Sequence, residues 1–543
     1  MNKKRFLSLI ITVIMSFTAL SGCNKNDTTK KENNNSSAKV VESAIIPITK
    51  DENTITPFTY VTGTPGMDVQ RLIFDSLFTE DKDNKILPWL AKEAKHNSDY
   101  TEYTIELNKD IKWHDDKDFS AEDVKFTFEY VLTQKVGRWK TIASKVQSME
   151  IKNNSIIFKL KNPEPNFVEE SLVDIPIVPK HIYEGKDGKQ IKETIGTGLY
   201  KLKEYVPQQK YVLEANDKFF KGKAKIKTIN MPIMKDSNAI YQGLQTGEYL
   251  TFTGIITPEL IKTFSEKKDL KVLTGPGFSA TMVYMNNRRP HFDNPEFRKA
   301  ISLSIDNKEI VNRVFLDKAD VGTAGFYSIN SPFAKKGLDY KYDVKEAEKI
   351  LDSLGYDKKN ESRIRLTKEG KELSFEILSS NNAMRQSAAT IISEQLKKVG
   401  IKLNVKVLEA DTLDSLVWPD FDITKERKYD MTVFGWSAPM QTKQNTLIQH
   451  GSSDTKKGIL NLAGYKNAEF DSAVEEFAKS NDKEKRKELV DKMQDIFAKT
   501  YPFHVYAYQN VIAVYNSSQY DEFILKNGVG IINVFSFFKS KIT

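Results

Sequence analysis

From Thr101 to Leu107 the chain alternates, with Thr101, Tyr103, Ile105 and Leu107 on one face and Glu102, Thr104 and Glu106 on the other. A period of two predicts a half-buried strand. The period then lengthens. Ser120 stands three residues before Asp123, a box-like helix start, and Val124, Phe128 and Val131 share one side of the segment that follows. Asp343 caps a second helix whose apolar side is Ala347, Ile350, Leu351 and Leu354, with Gly355 where a left-handed stop residue is wanted. A third helix is predicted around Met384 to Val399, with Ala388, Ile391, Ile392, Leu396 and Val399 as its stripe and Gly400 as its close. Directly after it, Ile401, Leu403, Val405 and Val407 alternate with Lys402, Asn404 and Lys406, again the pattern of a half-buried strand. Tyr429 to Phe434 reads as another strand, ending in Gly435-Trp436. Helix-then-strand units of this kind build mixed α/β lobes. No internal repeat is visible.

The first residues break this pattern. Lys3, Lys4 and Arg5 precede an apolar run from Phe6 to Leu20, shorter than the roughly 20 residues a spanning helix needs, so it reads as an export signal. The run ends in Leu20-Ser21-Gly22-Cys23, which resembles a bacterial lipobox, with the Cys23 thiol as lipid acceptor. A lipid with two or more chains would anchor stably, each buried methylene contributing about 0.8 kcal/mol. Asn24 to Lys39 is rich in Asn, Lys, Ser and Thr and nearly free of apolar residues. Such a stretch cannot bury enough surface to offset its ordering entropy, which predicts a disordered tether over 24–40 with a reach of roughly 20–25 Å.

Composition narrows the function. The chain has 543 residues, 39% apolar and 11% aromatic, enough for two or three structural domains. Its formal charge of +8 falls to +5 once Lys3, Lys4 and Arg5 leave with the signal, and the 81 basic and 73 acidic residues are interspersed. Without a dense basic stripe, nucleic-acid binding is not expected. Cys23 is the single cysteine, so neither an intramolecular disulfide nor a cysteine metal cluster can form. His96, His114, His181, His291, His450 and His504 include no pair at metal-ligand spacing. Asp81-Lys82-Asp83-Asn84-Lys85 opens like a calcium loop, but Lys85 and Lys92 would fall on ligand positions, so a hairpin turn is predicted instead. Gly435-Trp436-Ser437-Ala438-Pro439 starts like a nucleophile elbow yet ends in Pro. Gly196-Thr197-Gly198 lacks the third glycine of a dinucleotide fingerprint and reads as a turn. No catalytic constellation and no cofactor are expected.

Several segments stand out in chain order, beginning with Leu72-Ile73-Phe74-Asp75-Ser76-Leu77-Phe78, Leu87-Pro88-Trp89-Leu90-Ala91 and Ile111-Lys112-Trp113-His114-Asp115-Asp116. The Ser120 to Phe126 segment follows, then Ile177-Val178-Pro179-Lys180-His181-Ile182-Tyr183, then Gly196 to Leu202 and Leu244-Gln245-Thr246-Gly247-Glu248. Phe297 to Ser302, Ile305-Asp306 and Phe434-Gly435-Trp436-Ser437 complete the set. Taken together, over about residues 45–515, they resemble the family-5 extracellular solute-binding proteins of ABC importers, the peptide and nickel group. Read physically, most of these motifs are structural: the His114 segment is a turn before the capped helix.

The resemblance implies a two-lobed periplasmic-binding-protein-like α/β fold (type II, cluster C) with an extra subdomain on the first lobe. The signal would be 1–23 and the tether 24–40. Lobe I would take 41–75, 196–278 and 505–543, the subdomain 76–195 and lobe II 279–504. It also implies capture of peptides in a cleft that closes by a hinge, delivery to an ABC permease, and a lipid-anchored monomer outside the cytoplasmic membrane. Lys and Asn usage with the lipobox points to a low-GC Gram-positive bacterium. Trp436 would pack the ligand, core packing being its alternative. Arg138 lies where nickel-type relatives hold a chelator's carboxylate, Tyr60 follows the first cleft-side segment Thr56-Pro57-Phe58-Thr59, and Ser437 and Arg385 are further candidates. One departure stands out: peptide-binding members often carry Asp three residues after the Trp, for the peptide's ammonium, and here that position is Pro439. A nickel or other metal-chelate carrier is therefore the alternative within the class. A lipid-tethered peptide sensor or an exported hydrolase lies further off.

Overall fold

The computed structural model describes residues 40–57, 65–133, 138–254, 256–419, 422–451 and 460–540. The export segment, Cys23 and the tether up to Lys39 lie outside them. A four-stranded sheet sets Val41–Ile45 beside Ile226–Pro232 in parallel, followed by Lys210–Ala215 and Tyr200–Val206, both antiparallel. A second four-stranded sheet, antiparallel throughout, runs Ala91–His96, Glu102–Leu107, Ser155–Leu160, Val146–Lys152. Tyr103, Ile105 and Leu107 are its buried positions, as the alternation requires. The Ala121–Thr133 helix packs beside it and buries Val124, Phe128 and Val131. Asp123 caps that helix in reverse, its carboxylate accepting from the backbone N–H of Ser120.

A six-stranded sheet holds the C-terminal half together, in the order Ala319–Val321, Phe503–Asn516, Leu270–Met285, Met431–Trp436, Ser374–Ser380, Lys402–Leu408. The helices predicted around it are present: Val344–Ser353 with Asp343 capping the Glu346 N–H, and Ala383–Lys398 with Asn382 as its cap. Gly355 and Gly400 follow with φ of 89° and 84°, the left-handed stops the pattern calls for. The strand expected after Gly400 is present as Lys402–Leu408, which buries Leu403 but leaves Val405 and Val407 exposed at 36% and 45%. Among the described residues it pairs only with Ser374–Ser380, so half of its apolar face extends past the core.

The two longest strands, Leu270–Met285 and Phe503–Asn516, pair antiparallel from Leu270↔Asn516 to Tyr284↔Phe503, with a break in register between Gly275 and Ser279. Beyond the break on one side they enter the six-stranded sheet. On the other side Leu270, Ile512 and Val514 join a separate apolar cluster with Ile240, Leu244 and Phe264. These paired strands therefore tie two cores together, and a cleft opens where they cross.

Several of the motifs read from the sequence converge on one seam. Asp75 accepts from Trp89 Nε1 and from Thr197 Oγ1, both at 2.7 Å. Gly198 N donates to the Ile73 carbonyl at 2.9 Å, and His114 Nε2 lies 3.0 Å from the Gly198 carbonyl. Gly196-Thr197-Gly198 is thus a close approach of two backbones rather than a simple turn. A Cβ at Gly196 would stand 1.8 Å from the Ile73 carbonyl oxygen. Gly196→Ala is expected to lower stability by about 3 kcal/mol, the upper end for overpacking a rigid contact. An unchanged urea-unfolding midpoint would show that the seam gives way easily. Asp81 to Lys85 does form a hairpin turn, between Phe78–Glu80 and Ile86–Pro88, with the Asp81 carboxylate accepting from the N–H groups of Asp83 and Lys85.

Candidate ligand-binding cleft

Two cavities of about 520 and 130 Å³ adjoin in the cleft and share the wall formed by Met67, Arg71, Ala438, Pro439, Gly528 and Val529. Each wall segment is fixed by local chemistry. The helix Pro65–Ile73 buries Met67, Val69, Leu72 and Ile73. Asp68 and Arg71, one turn apart, are left to face the larger cavity. Gly528 and Gly530 adopt φ of 71° and 115°, which lets the Lys526–Gly530 turn close and bring backbone up to Ala438. Across from them the strand Met431–Trp436 ends, and Ser437 to Pro439 turn over the cavity into a short helix. Thr251–Gly254 and Gln509–Val514 complete a wall rich in backbone, hydroxyl and amide groups. About 520 Å³ falls within the usual range for ligand pockets.

Most charges lining the cleft are already paired. Lys443 lies 3.1 Å from Asp174 and Lys526 3.2 Å from Glu80. Asp75 is held by Trp89 and Thr197, and burial pushes its carboxyl up to about 6. Asp68 and Arg71 differ: among the described residues neither makes a side-chain hydrogen bond or ion pair. Burial pushes the Asp68 carboxyl up to about 7, against the opposing pull of the Arg71 charge.

The residues singled out from the sequence separate into three groups. Ser437 lines the larger cavity, and its hydroxyl makes no cap to the helix it precedes. Trp436 is 9% exposed and belongs to neither cavity lining. Its Nε1 donates to the Tyr284 hydroxyl at 2.7 Å, and its ring stands edge-on to Trp418 and Phe434. Arg385 also lies outside both linings, its guanidinium 5.9 Å from the Phe434 ring and close under Gly435. Tyr60 falls outside the described residues, and Arg138 opens the helix Arg138–Ser144 but its side chain is not among those described. The sequence reading missed Asp68 and Arg71. The one available signal was their i,i+3 spacing on a helix whose other positions are mostly apolar.

Two cores tied by a pair of long strands, with a cleft at the crossing, define a two-lobed solute-binding protein. The chain belongs to the bacterial extracellular solute-binding proteins of family 5, whose model matches residues 85–458. It is 27% identical over 529 residues to the oligopeptide-binding protein AppA of Bacillus subtilis, covering 94% of each chain. The AppA structure in complex with a nonapeptide superposes with a TM-score of 0.77 at 25% identity, over 93% of this chain and all of that one. NikZ of Campylobacter jejuni, solved with Ni(L-His), gives a TM-score of 0.78 at 25% identity over 92% of this chain and 99% of that one. No helix among the described residues is long and apolar enough to cross a membrane.

Proposed function

We propose that this protein captures peptides in the interlobe cleft and hands them to an ABC permease, held at the outer face of the cytoplasmic membrane by a lipid on Cys23. The observation that carries the reading is the cleft lining, where hydroxyl and amide side chains of Ser279, Ser437, Gln509 and Asn510 stand with the backbone of Gly254, Gly528 and Val529. Such a surface bonds a peptide main chain whatever its side chains. Lobe I would comprise 41–75, 196–278 and 505–543, the subdomain 76–195 and lobe II 279–504, so that the crossing strands act as the hinge. The protein works as a binder, not an enzyme. Closing on ligand selects the form that docks on the permease.

The test uses residues 24–543 made without Cys23, purified gently from cells and weighed under native conditions. A ladder of peptide masses, lost on denaturation, is the expected result. A single mass with a transition-metal isotope pattern would overturn peptide capture in favour of a metal chelate. Deleting the gene should abolish uptake of the same peptides; intact uptake would leave sensing as the better reading.

A further inference from the structure

We propose that Asp68 is the acceptor for the ligand's ammonium group, with Arg71 beside it setting the direction in which the ligand lies. The inference rests on the peptide reading above and adds the residue that would hold a free amino terminus. It begins from a deficit. Pro439, where an acid would stand if the loop after Trp436 supplied the anchor, lines both cavities and offers no charge and no N–H. Asp68 lines the same larger cavity. The other acids of the cleft are committed: Asp174 to Lys443, Glu80 to Lys526, Asp75 to Trp89 and Thr197. Asp68 alone among the acids of the described lining has no hydrogen bond or ion pair.

A half-buried carboxylate in a cleft without a partner costs stability, since part of its hydration is removed and nothing replaces it. Burial pushes its proton affinity up to about 7, so near pH 7 a share of the molecules holds the neutral acid. A cation arriving from the ligand reverses that balance. The ammonium makes charge-assisted hydrogen bonds to the carboxylate in a site shielded from water, and Asp68 releases its proton as the ligand seats. The groups that bear on this titration are few: among the described residues Arg71 is the one charge acting on Asp68, from the same helix. The rest of the wall near it, Thr49, Ser237, Thr251 and Thr253, is uncharged.

The charges also order the cleft from end to end. Asp68 belongs to the larger cavity only, Arg71 stands at the junction of the two, and Lys443 and Lys526 line the smaller one. A free ammonium is therefore drawn to Asp68 in the larger cavity, the lysines of the smaller one being offset by Asp174 and Glu80, while a ligand carboxylate is favoured at Arg71. A peptide held in this field has its amino end at Asp68.

The experiment compares wild type, Asp68→Asn and Asp68→Glu with synthetic mixed-sequence peptide libraries, tripeptide to nonapeptide. They are made without lysine, each with a free or an acetylated amino terminus. Native mass spectrometry reads the bound fraction, and titration calorimetry in two buffers of different ionisation heat reads proton release. Wild type should bind free-amine peptides about 30–100-fold more tightly than acetylated ones, as expected for losing a charge-assisted contact. Asp68→Asn should lose that preference and the proton release while melting no lower than wild type, and Asp68→Glu should keep part of both. A lysine-containing acetylated library that binds as well as the free-amine one would assign Asp68 to side-chain amines instead of the terminus. Asp68→Asn binding free-amine peptides like wild type would overturn the inference while leaving peptide capture standing. Wild type binding neither library would overturn both.

Discussion

A Lys443→Ala variant is expected to bind ligand about 100-fold more weakly while both lobes stay folded. Lys443 Nζ lies 3.1 Å from Asp174, the two side chains being 15% and 16% exposed, and it also donates to the Glu170 carbonyl. Beside it, Asn445 N donates to the Glu170 carboxylate and Asn166 Nδ2 to Gln444 Oε1. These contacts join the segment 166–174, which follows the antiparallel sheet, to the turn 443–445 that follows the strand ending at Trp436. They bridge the cleft rather than stabilise either side of it. Removing one partner of a buried pair costs up to about 3–5 kcal/mol, because the other loses its counter-charge; Asp174 keeps a further contact, which sets the cost at the lower end. Here opening the cleft returns water to Asp174, so the cost falls on closure and not on folding. At the lower end, about 3 kcal/mol, it reduces the closed population roughly 100-fold and raises the apparent Kd equally. Calorimetry with one peptide that wild type binds checks the affinity, and small-angle scattering with ligand present checks the opening. Lys443 also lines the smaller cavity, so a direct contact with ligand must be separated from a latch. In an Asp174→Asn background a latch predicts little further loss from Lys443→Ala, whereas a ligand contact predicts the full loss again.

The elements were legible where local pattern decides them. The strand at Glu102–Leu107, the cap at Asp343, and the left-handed Gly355 and Gly400 each follow from a few neighbouring residues. What the pattern could not supply is which face meets what. Val405 and Val407 alternate correctly, yet their exposure depends on no further strand pairing beyond them. Trp436 and Ser437 are one residue apart at the end of a strand, and one step of a two-residue period separates core from cleft. The sequence marks the position as important without saying which side chain turns inward. Asp68 and Arg71 read locally as the wet side of an amphipathic helix. Only the loop 437–439, some hundreds of residues later, converts that side into a cavity wall. The Lys443–Asp174 pair is equally invisible, because its energy comes from burial between segments far apart in the chain. Motifs that serve the seam, such as Asp75, Trp89, His114 and Gly196, stand out more clearly in the sequence than the residues that line the cleft.

Replacing His450 with Leu and His504 with Gln together is expected to tilt the slope of stability against pH between pH 6.5 and 5 towards greater stability in acid. Both imidazoles are buried in the second lobe. His450 lies among Phe326, Phe497 and Phe503, and His504 Nε2 lies 2.8 Å from Asn307 Oδ1, its ring against Tyr340. Burial pushes each down to about 3 from the ordinary 6.5. The unfolded chain therefore binds these protons before the folded one does. Their contribution is fully present above pH 6.5 and is lost as pH falls towards 3, at about 1.36 kcal/mol per pH unit for each group. At pH 5 that is about 2 kcal/mol each and about 4 for the pair. His114, pushed down to about 4, acts in the same direction. The buried carboxyls act in the opposite one. Asp75, Asp68 and Glu170 are all raised by burial, so the folded state takes up their protons first and gains stability as pH falls through the same window. In wild type the three histidines oppose the carboxyls. With two histidines removed, Asp68 and Asp75 outweigh His114 and stability should rise on going from pH 6.5 to 5. Thermal or urea unfolding across that range gives the slope, which changes in packing caused by the substitutions shift up or down but do not tilt. Parallel slopes for wild type and variant would mean that the buried histidines are already protonated in the fold, and that water or a charge reaches them.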